Sequence, residues 1–220
     1  MYIQLKGQIL SYEKRGQGKD LILLHGNGED HTIFDELCKR LEDSFTIYAI
    51  DTRGHGGSAT PNEYHYREMA EDISLFISSL ELDHPIVLGF SDGGILALLT
   101  AINHSDLLAG IIACGANRTP KGLQRKELHE IRRRARREKD PLAILMATEP
   151  DITDSELSRI SCPSLIVAGE RDLILPKETE AIVHAIPGAR SRIFENQDHG
   201  SYVIHSTVLE KTVREFYMYL

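Results

Sequence analysis

The sequence predicts an α/β fold: a mostly parallel central sheet with helices on both faces. Three observations predict it. Short apolar runs alternate with stretches of helical period along most of the chain. Leu21–Leu24 is apolar at every position, as in a strand buried on both faces. Ile86-Val87-Leu88, the turn Gly89-Phe90-Ser91-Asp92-Gly93-Gly94 and the apolar Ile95–Leu99 read as strand, sharp turn and buried helix.

In chain order, Met1–Leu5 and Gln8–Lys14 flank Gly7 and read as an antiparallel hairpin; Gly16-Gln17-Gly18 then turns the chain into Leu21–Leu24. His25-Gly26-Asn27-Gly28-Glu29-Asp30 closes that strand, and Phe34, Leu37, Cys38 and Leu41 recur at helical spacing. Phe45–Ile50 is the next strand and runs into the glycine-rich Asp51-Thr52-Arg53-Gly54-His55-Gly56-Gly57-Ser58. Met69, Ile73, Phe76, Ile77 and Leu80 form one helical stripe. The strand–turn–helix of Ile86–Leu99 follows, then the buried strands Leu108–Cys114 and Ser164–Ala168, the latter ending in Gly169-Glu170-Arg171-Asp172. Lys177–Ile186 reads as a helix, Arg190–Phe194 as the last strand and Val208–Leu220 as the closing helix.

One insert breaks the alternation. Between Cys114 and Ser164 no clear strand occurs, and within it Arg118–Lys139 carries ten Lys/Arg against three Glu. Its net charge of +7 leaves −15 on the rest of the chain. Leu128, Ile131 and Ala135 supply a narrow apolar stripe. The expected organisation is a core of residues 1–117 and 161–220 with a helical lid at 118–160. The basic run reads either as a solvated helix face or as a device that recruits anionic substrates.

At 220 residues the chain suits one domain with a sizeable core. A net charge of −8 gives no general attraction to nucleic acid or membrane, and the basic run lacks the aromatic residues that stack on bases. Cys38, Cys114 and Cys162 have no metal-binding spacing and read as buried thiols of a reducing compartment. The start has no signal-peptide core, and Leu107–Ala116, the longest apolar stretch, is too short to cross a bilayer. The expected location is cytoplasmic.

Gly89-x-Ser91-x-Gly93 at a strand-to-helix junction has the form of a nucleophile elbow. Small flanking residues let strand and helix approach, and the helix N-terminus offers free N–H groups to a developing oxyanion. The pentapeptide alone is equally compatible with an inert turn. A serine hydroxyl needs a base, most often His, and the base needs an acid to hold its tautomer. Ser91, Asp172 and His199 occur in an order known for such triads, the last two just past the carboxyl ends of strands.

With His25-Gly26, Asp51-x-Arg53-Gly54-His55-Gly56-x-Ser58, Gly89-x-Ser91-x-Gly93-Gly94 and Asp172 followed by His199, the chain resembles a small α/β-hydrolase over nearly all its length outside the insert. The resemblance implies Ser91 as nucleophile, His199 as base and Asp172 as acid. Against His199 stand His184, in a helical pattern, and His205, six residues too late; His55 is expected to shape its loop and His25 to be a structural turn residue. Glu170 and Asp198 are acids of the right type, Asp198 being better placed to cap its own turn. The oxyanion hole is expected from the backbone N–H groups of Asn27 and Asp92. The Asp92 carboxylate has two readings: it complements the helix dipole, or it pairs with a cationic group of the substrate.

Dinucleotide, phosphate-loop and zinc readings fail on spacing: Gly26-x-Gly28 lacks a third glycine, and no Gly-Lys-Ser/Thr or His/Cys cluster occurs. The expectation is a serine hydrolase acting on a small carboxylic ester or related acyl compound, with no cofactor and no metal. The alternative is a ligand-binding or signalling module that keeps the fold without the chemistry.

Overall fold

The computed structural model describes residues 1–220, and its elements follow from the patterns above. The strands are β1 (Tyr2–Leu5), β2 (Gln8–Gly16), β3 (Lys19–Leu24), β4 (Phe45–Ile50), β5 (Ile86–Phe90), β6 (Gly110–Cys114), β7 (Ser164–Arg171) and β8 (Arg190–Asp198). The helices are α1 (Asp35–Leu41), α2 (Tyr66–Ser79), α3 (Asp92–His104), α4 (Arg125–Arg137), α5 (Pro141–Thr148), α6 (Asp154–Leu157), α7 (Pro176–Ala185) and α8 (Leu209–Tyr219). The strands form one sheet in the order β1-β2-β4-β3-β5-β6-β7-β8. β2 runs antiparallel to β1 and β4; every pairing from β4 to β8 is parallel.

Continuous apolar strands are needed because both faces are covered. In β3, Ile22 and Leu24 enter a core with α2, α3 and α7; Leu21 and Leu23 enter the opposite core with α1 and α8. β5, which leads into Ser91, lies between β3 and β6 and is buried throughout. Its carboxyl end is held on both sides, by Leu24↔Gly89 and by Phe90↔Cys114.

Several strand ends depart from the expected limits. β7 continues to Arg171 and β8 to Asp198, because their polar ends pair across an irregularity, Arg171 opposite Asp198. β6 starts at Gly110, two residues late, because Leu108 closes a short 3-10 turn at Ser105–Leu107.

The insert is helical. After a 3-10 turn at Pro120–Gly122 it forms α4, α5 and α6. Its entry is strapped to the loop after β7: Gln124 N–H donates to Leu173 O (2.9 Å), Leu175 N–H to Gly122 O (2.8 Å), and Leu123 bridges Ile174. Leu123, Leu128 and Ile174 form a small apolar cluster there, with Ile131 at its edge. The return through Ile152, Leu157 and Ile160 rejoins the α2–α3 core.

Candidate active site

Ser91 connects β5 to α3 with φ 54° and ψ −114°, a backbone conformation that costs an L-residue about 1–3 kcal/mol. The surroundings hold it there. Ser91 N–H donates to Cys114 O (2.8 Å) and Gly93 N–H to His25 O (3.1 Å). A Cβ on Gly89 would lie 1.9 Å from Gly93 O, and one on Gly93 would lie 2.1 Å from Leu24 O. Both contacts are with backbone, so the glycines are required by close approach rather than by turn preference.

The structure brings Ser91, Asp172 and His199 together. His199 Nε2 lies 3.1 Å from Ser91 Oγ, and His199 Nδ1 lies 2.6 Å from Asp172 Oδ1. Asp172 is buried and fixed by two backbone donors, Ile174 N–H to Oδ1 (2.9 Å) and Gly169 N–H to Oδ2 (3.2 Å). A carboxylate held this way accepts a hydrogen bond from Nδ1–H, which fixes the tautomer and leaves Nε2 free to accept the serine proton. The imidazole packs at a tilt of 44° against Phe90 (centroids 4.9 Å apart), and Gly115 leaves room for its edge: a Cβ there would fall 2.7 Å from His199 Cε1. The insert reaches this site through Gln124, whose Nε2 donates to Asp172 O (2.7 Å).

Neither Asn27 N–H nor Asp92 N–H makes a hydrogen bond within the chain. Asn27 is instead held by its side chain, Nδ2 donating to Asp92 Oδ2 (2.9 Å). The other carboxylate oxygen of Asp92 accepts from Tyr66 Oη (2.7 Å). Asp92 is only 5% exposed; burial raises its pKa, partly offset by these two donors. Its side chain thus ties the Asn27 loop and α2 to the elbow.

His25 and His55 support that loop. His25 Nε2 accepts from Thr52 N–H (3.0 Å) and its Nδ1–H donates to Gly26 O (2.7 Å); burial lowers its pKa to about 4. His55 Nε2 accepts from Gly28 N–H (3.0 Å). Each ring thus accepts a backbone N–H at one of its nitrogens. Asp51 Oδ1 accepts from His31, and its Oδ2 accepts from Gly57 N–H (2.9 Å). Asp30, His31 and Asp51 could together offer ligand atoms to a metal, but His31 and Asp51 bond to each other. Asp198 caps its own turn through Gly200 and Ser201 N–H, and Glu170 accepts from Asn196 N–H; His184 Nδ1–H donates to Glu180 O and His205 N–H to Ile33 O, and neither ring bonds to Ser91.

Sequence reasoning missed two participants. Tyr66 reaches Asp92 across 26 residues of chain, a contact with no local signal. Glu29 folds back on Gly26 N–H (2.9 Å), a three-residue return resembling the reach-back of a capping box.

Comparison with known proteins identifies the fold. A family model described as the alpha/beta hydrolase fold matches residues 20–143. The chain is 25% identical to the serine hydrolase BPHL of Homo sapiens over 249 residues, covering 97% of this chain and 84% of that protein. It is 23% identical over 246 residues to a pimeloyl-[acyl-carrier protein] methyl ester esterase of Vibrio vulnificus, covering 88% and 92% respectively. A thermophilic esterase from Thermogutta terrifontis superposes with a TM-score of 0.83 at 24% identity, covering 100% of this chain and 98% of the esterase. No helix is long and apolar enough to cross a membrane.

Proposed function

The chain belongs to the alpha/beta hydrolase family, and we propose that it is a serine hydrolase cleaving a small carboxylic ester through an acyl-enzyme. The observation that carries this reading is the hydrogen-bonded chain Ser91–His199–Asp172 at a strained elbow beside two unused backbone N–H groups. Ser91 Oγ attacks the ester carbonyl as its proton passes to His199 Nε2. Asp172 stabilises the imidazolium and keeps Nδ1–H pointed inward. Asn27 and Asp92 N–H groups receive the oxyanion, a role worth about 3 kcal/mol per donor in comparable sites. His199 returns the proton to the leaving alcohol. Water then repeats the sequence on the acyl-enzyme, with each step using only protein groups and water.

The relatives named as esterases support an ester substrate. In this reading α4 and its neighbours act as a lid over the carboxyl end of β7. The Asp92 carboxylate, standing behind Asn27, bears on substrate charge. Comparing Asp92→Asn on matched esters with and without an α-amino group tests that role; a larger loss for the amino ester is expected. Equal losses restrict Asp92 to supporting the elbow.

The test of the whole reading is covalent labelling. A serine-directed fluorophosphonate is expected to modify Ser91 alone, and a panel of short esters is expected to turn over. Folded protein that is neither labelled nor active belongs instead to the ligand-binding reading.

A further inference from the structure

The turn that carries Asn27 brings another carboxylate into the cleft. Glu29 Oε2 accepts from Gly26 N–H (2.9 Å), and Glu29 N–H closes the turn onto Gly26 O (3.3 Å). Gly26 separates this carboxylate from the nucleophile. A methyl built on Gly26 would lie 2.7 Å from Glu29 Oε2 and 3.2 Å from Ser91 Cβ, with Phe90 Cδ1 at 3.3 Å. Glu29 thus shares one small space with Ser91 and with the Phe90 ring against which His199 packs.

The two acids of this loop differ. Asp92 is buried and each of its oxygens accepts a side-chain donor. Glu29 is half-buried, makes no ion pair, and its Oε1 takes no hydrogen bond from the chain. Burial raises the Glu29 pKa; the hydrogen bond from Gly26 N–H and then His199 oppose the shift, while the charges of Asp92 and Asp30 reinforce it. A partly desolvated carboxylate without a cation is a costly arrangement that a positively charged ligand relieves.

We propose that Glu29 is a specificity-determining residue that takes a cationic nitrogen of the substrate, so that preferred esters carry an ammonium group close to the scissile carbonyl. This deepens the ester-hydrolase reading and rests on it.

Glu29→Gln separates charge from shape, because the amide oxygen still accepts from Gly26 N–H while the negative charge is gone. The substrates are two near-isosteric pairs. Ethyl β-alaninate against ethyl butanoate places the cation in the acyl part; acetylcholine against 3,3-dimethylbutyl acetate places it in the alcohol. In at least one pair the wild type is expected to favour the cationic member in kcat/KM by about tenfold or more. Glu29→Gln is expected to bring that ratio close to one. In the wild type, raising ionic strength is expected to reduce kcat/KM for the cationic member and not for its neutral partner, a readout that needs no variant to fold. A wild-type ratio near one in both pairs, or a ratio unchanged by Glu29→Gln, overturns the proposal while turnover of the neutral esters leaves the hydrolase reading standing. A wild type that turns over none of the four esters and leaves Ser91 unlabelled by fluorophosphonate overturns both.

Discussion

Ser91 holds an unfavourable backbone conformation so that one hydroxyl stands clear of the sheet within reach of His199. Removing that hydroxyl costs little packing, so Ser91→Ala is expected to keep the wild-type melting temperature while losing acyl transfer. His199→Ala and Asp172→Asn are each expected to lower kcat by about 10³-fold or more, measured on one ester under saturating conditions. Near-normal turnover in His199→Ala refutes the base. Beneath the pair lies Tyr202, fully buried, whose hydroxyl finds no partner within the chain. An unsatisfied buried polar group costs about 1–3 kcal/mol, so Tyr202→Phe is expected to unfold at an equal or higher denaturant midpoint; a clear loss would reveal a bond the hydroxyl does make. At this scale the sequence was legible where a residue sits at a strand end. Ser91, Asp172 and His199 each follow β5, β7 or β8, and their types announce their chemistry. Glu29 and Tyr66 were not legible, because their importance lies in which distant atom they touch.

The elbow works only if β5 and α3 meet closely, and that closeness is written in two glycines. Gly93→Ala would drive a methyl to 2.1 Å from Leu24 O, so the backbone of the elbow must shift. The expected loss is about 1–3 kcal/mol in urea unfolding, with a fall in kcat of tenfold or more because the shift displaces Ser91. The elements themselves were readable from apolar runs, but their polar ends were not. Glu195-Asn196-Gln197-Asp198 reads as loop, yet it extends β8, and Asn196 N–H donates to Glu170 across the gap (2.8 Å). In the insert, the stripe Leu128, Ile131 and Ala135 marked α4. The starts of α5 and α6 carry signals that the sequence reading above did not use: Asp140 before Pro141, and the capping box of Thr153 and Glu156. Part of the charge of α4 is met locally. Arg133 pairs with Glu130 and Arg134 with Asp140, while the carboxylates nearest Ser91 make the cleft acidic. The solvated-face reading therefore predicts that neutralising Arg132, Arg133 and Arg136 together changes KM by less than about twofold for anionic and neutral esters alike. A rise confined to anionic esters would instead assign α4 to substrate recruitment.

For the whole molecule, two cores on opposite faces of one sheet make stability a property of the entire chain, and buried ionisable groups tie it to pH. His25 gives the clearest case. It is buried behind the Asn27 loop, and its Nε2 accepts from Thr52 N–H, so protonation there breaks a bond and buries a charge. Burial lowers its pKa to about 4, against about 6.5 when unfolded. Between these values the unfolded chain binds the proton and the folded chain does not, so stability rises with pH across the window. The contribution is complete above about pH 6.5 and lost as pH falls toward 4, a total of about 3 kcal/mol. Asp72 and Asp92 act with the opposite sign: burial raises their pKa values, so the fold holds their protons longer and loses stability as pH rises through the acid range. The net acid curve therefore mixes the two, and the difference between two proteins isolates His25. His25→Gln removes the titrating ring and retains an acceptor for Thr52 N–H. Urea unfolding of wild type and variant at several pH values between about 4.5 and 6.5 is expected to show a slope steeper in the wild type by up to about 1.4 kcal/mol per pH unit. Above about pH 7 the two curves are expected to run parallel. Equal slopes throughout would mean that His25 stays neutral, or stays charged, in both folded and unfolded chains over that range.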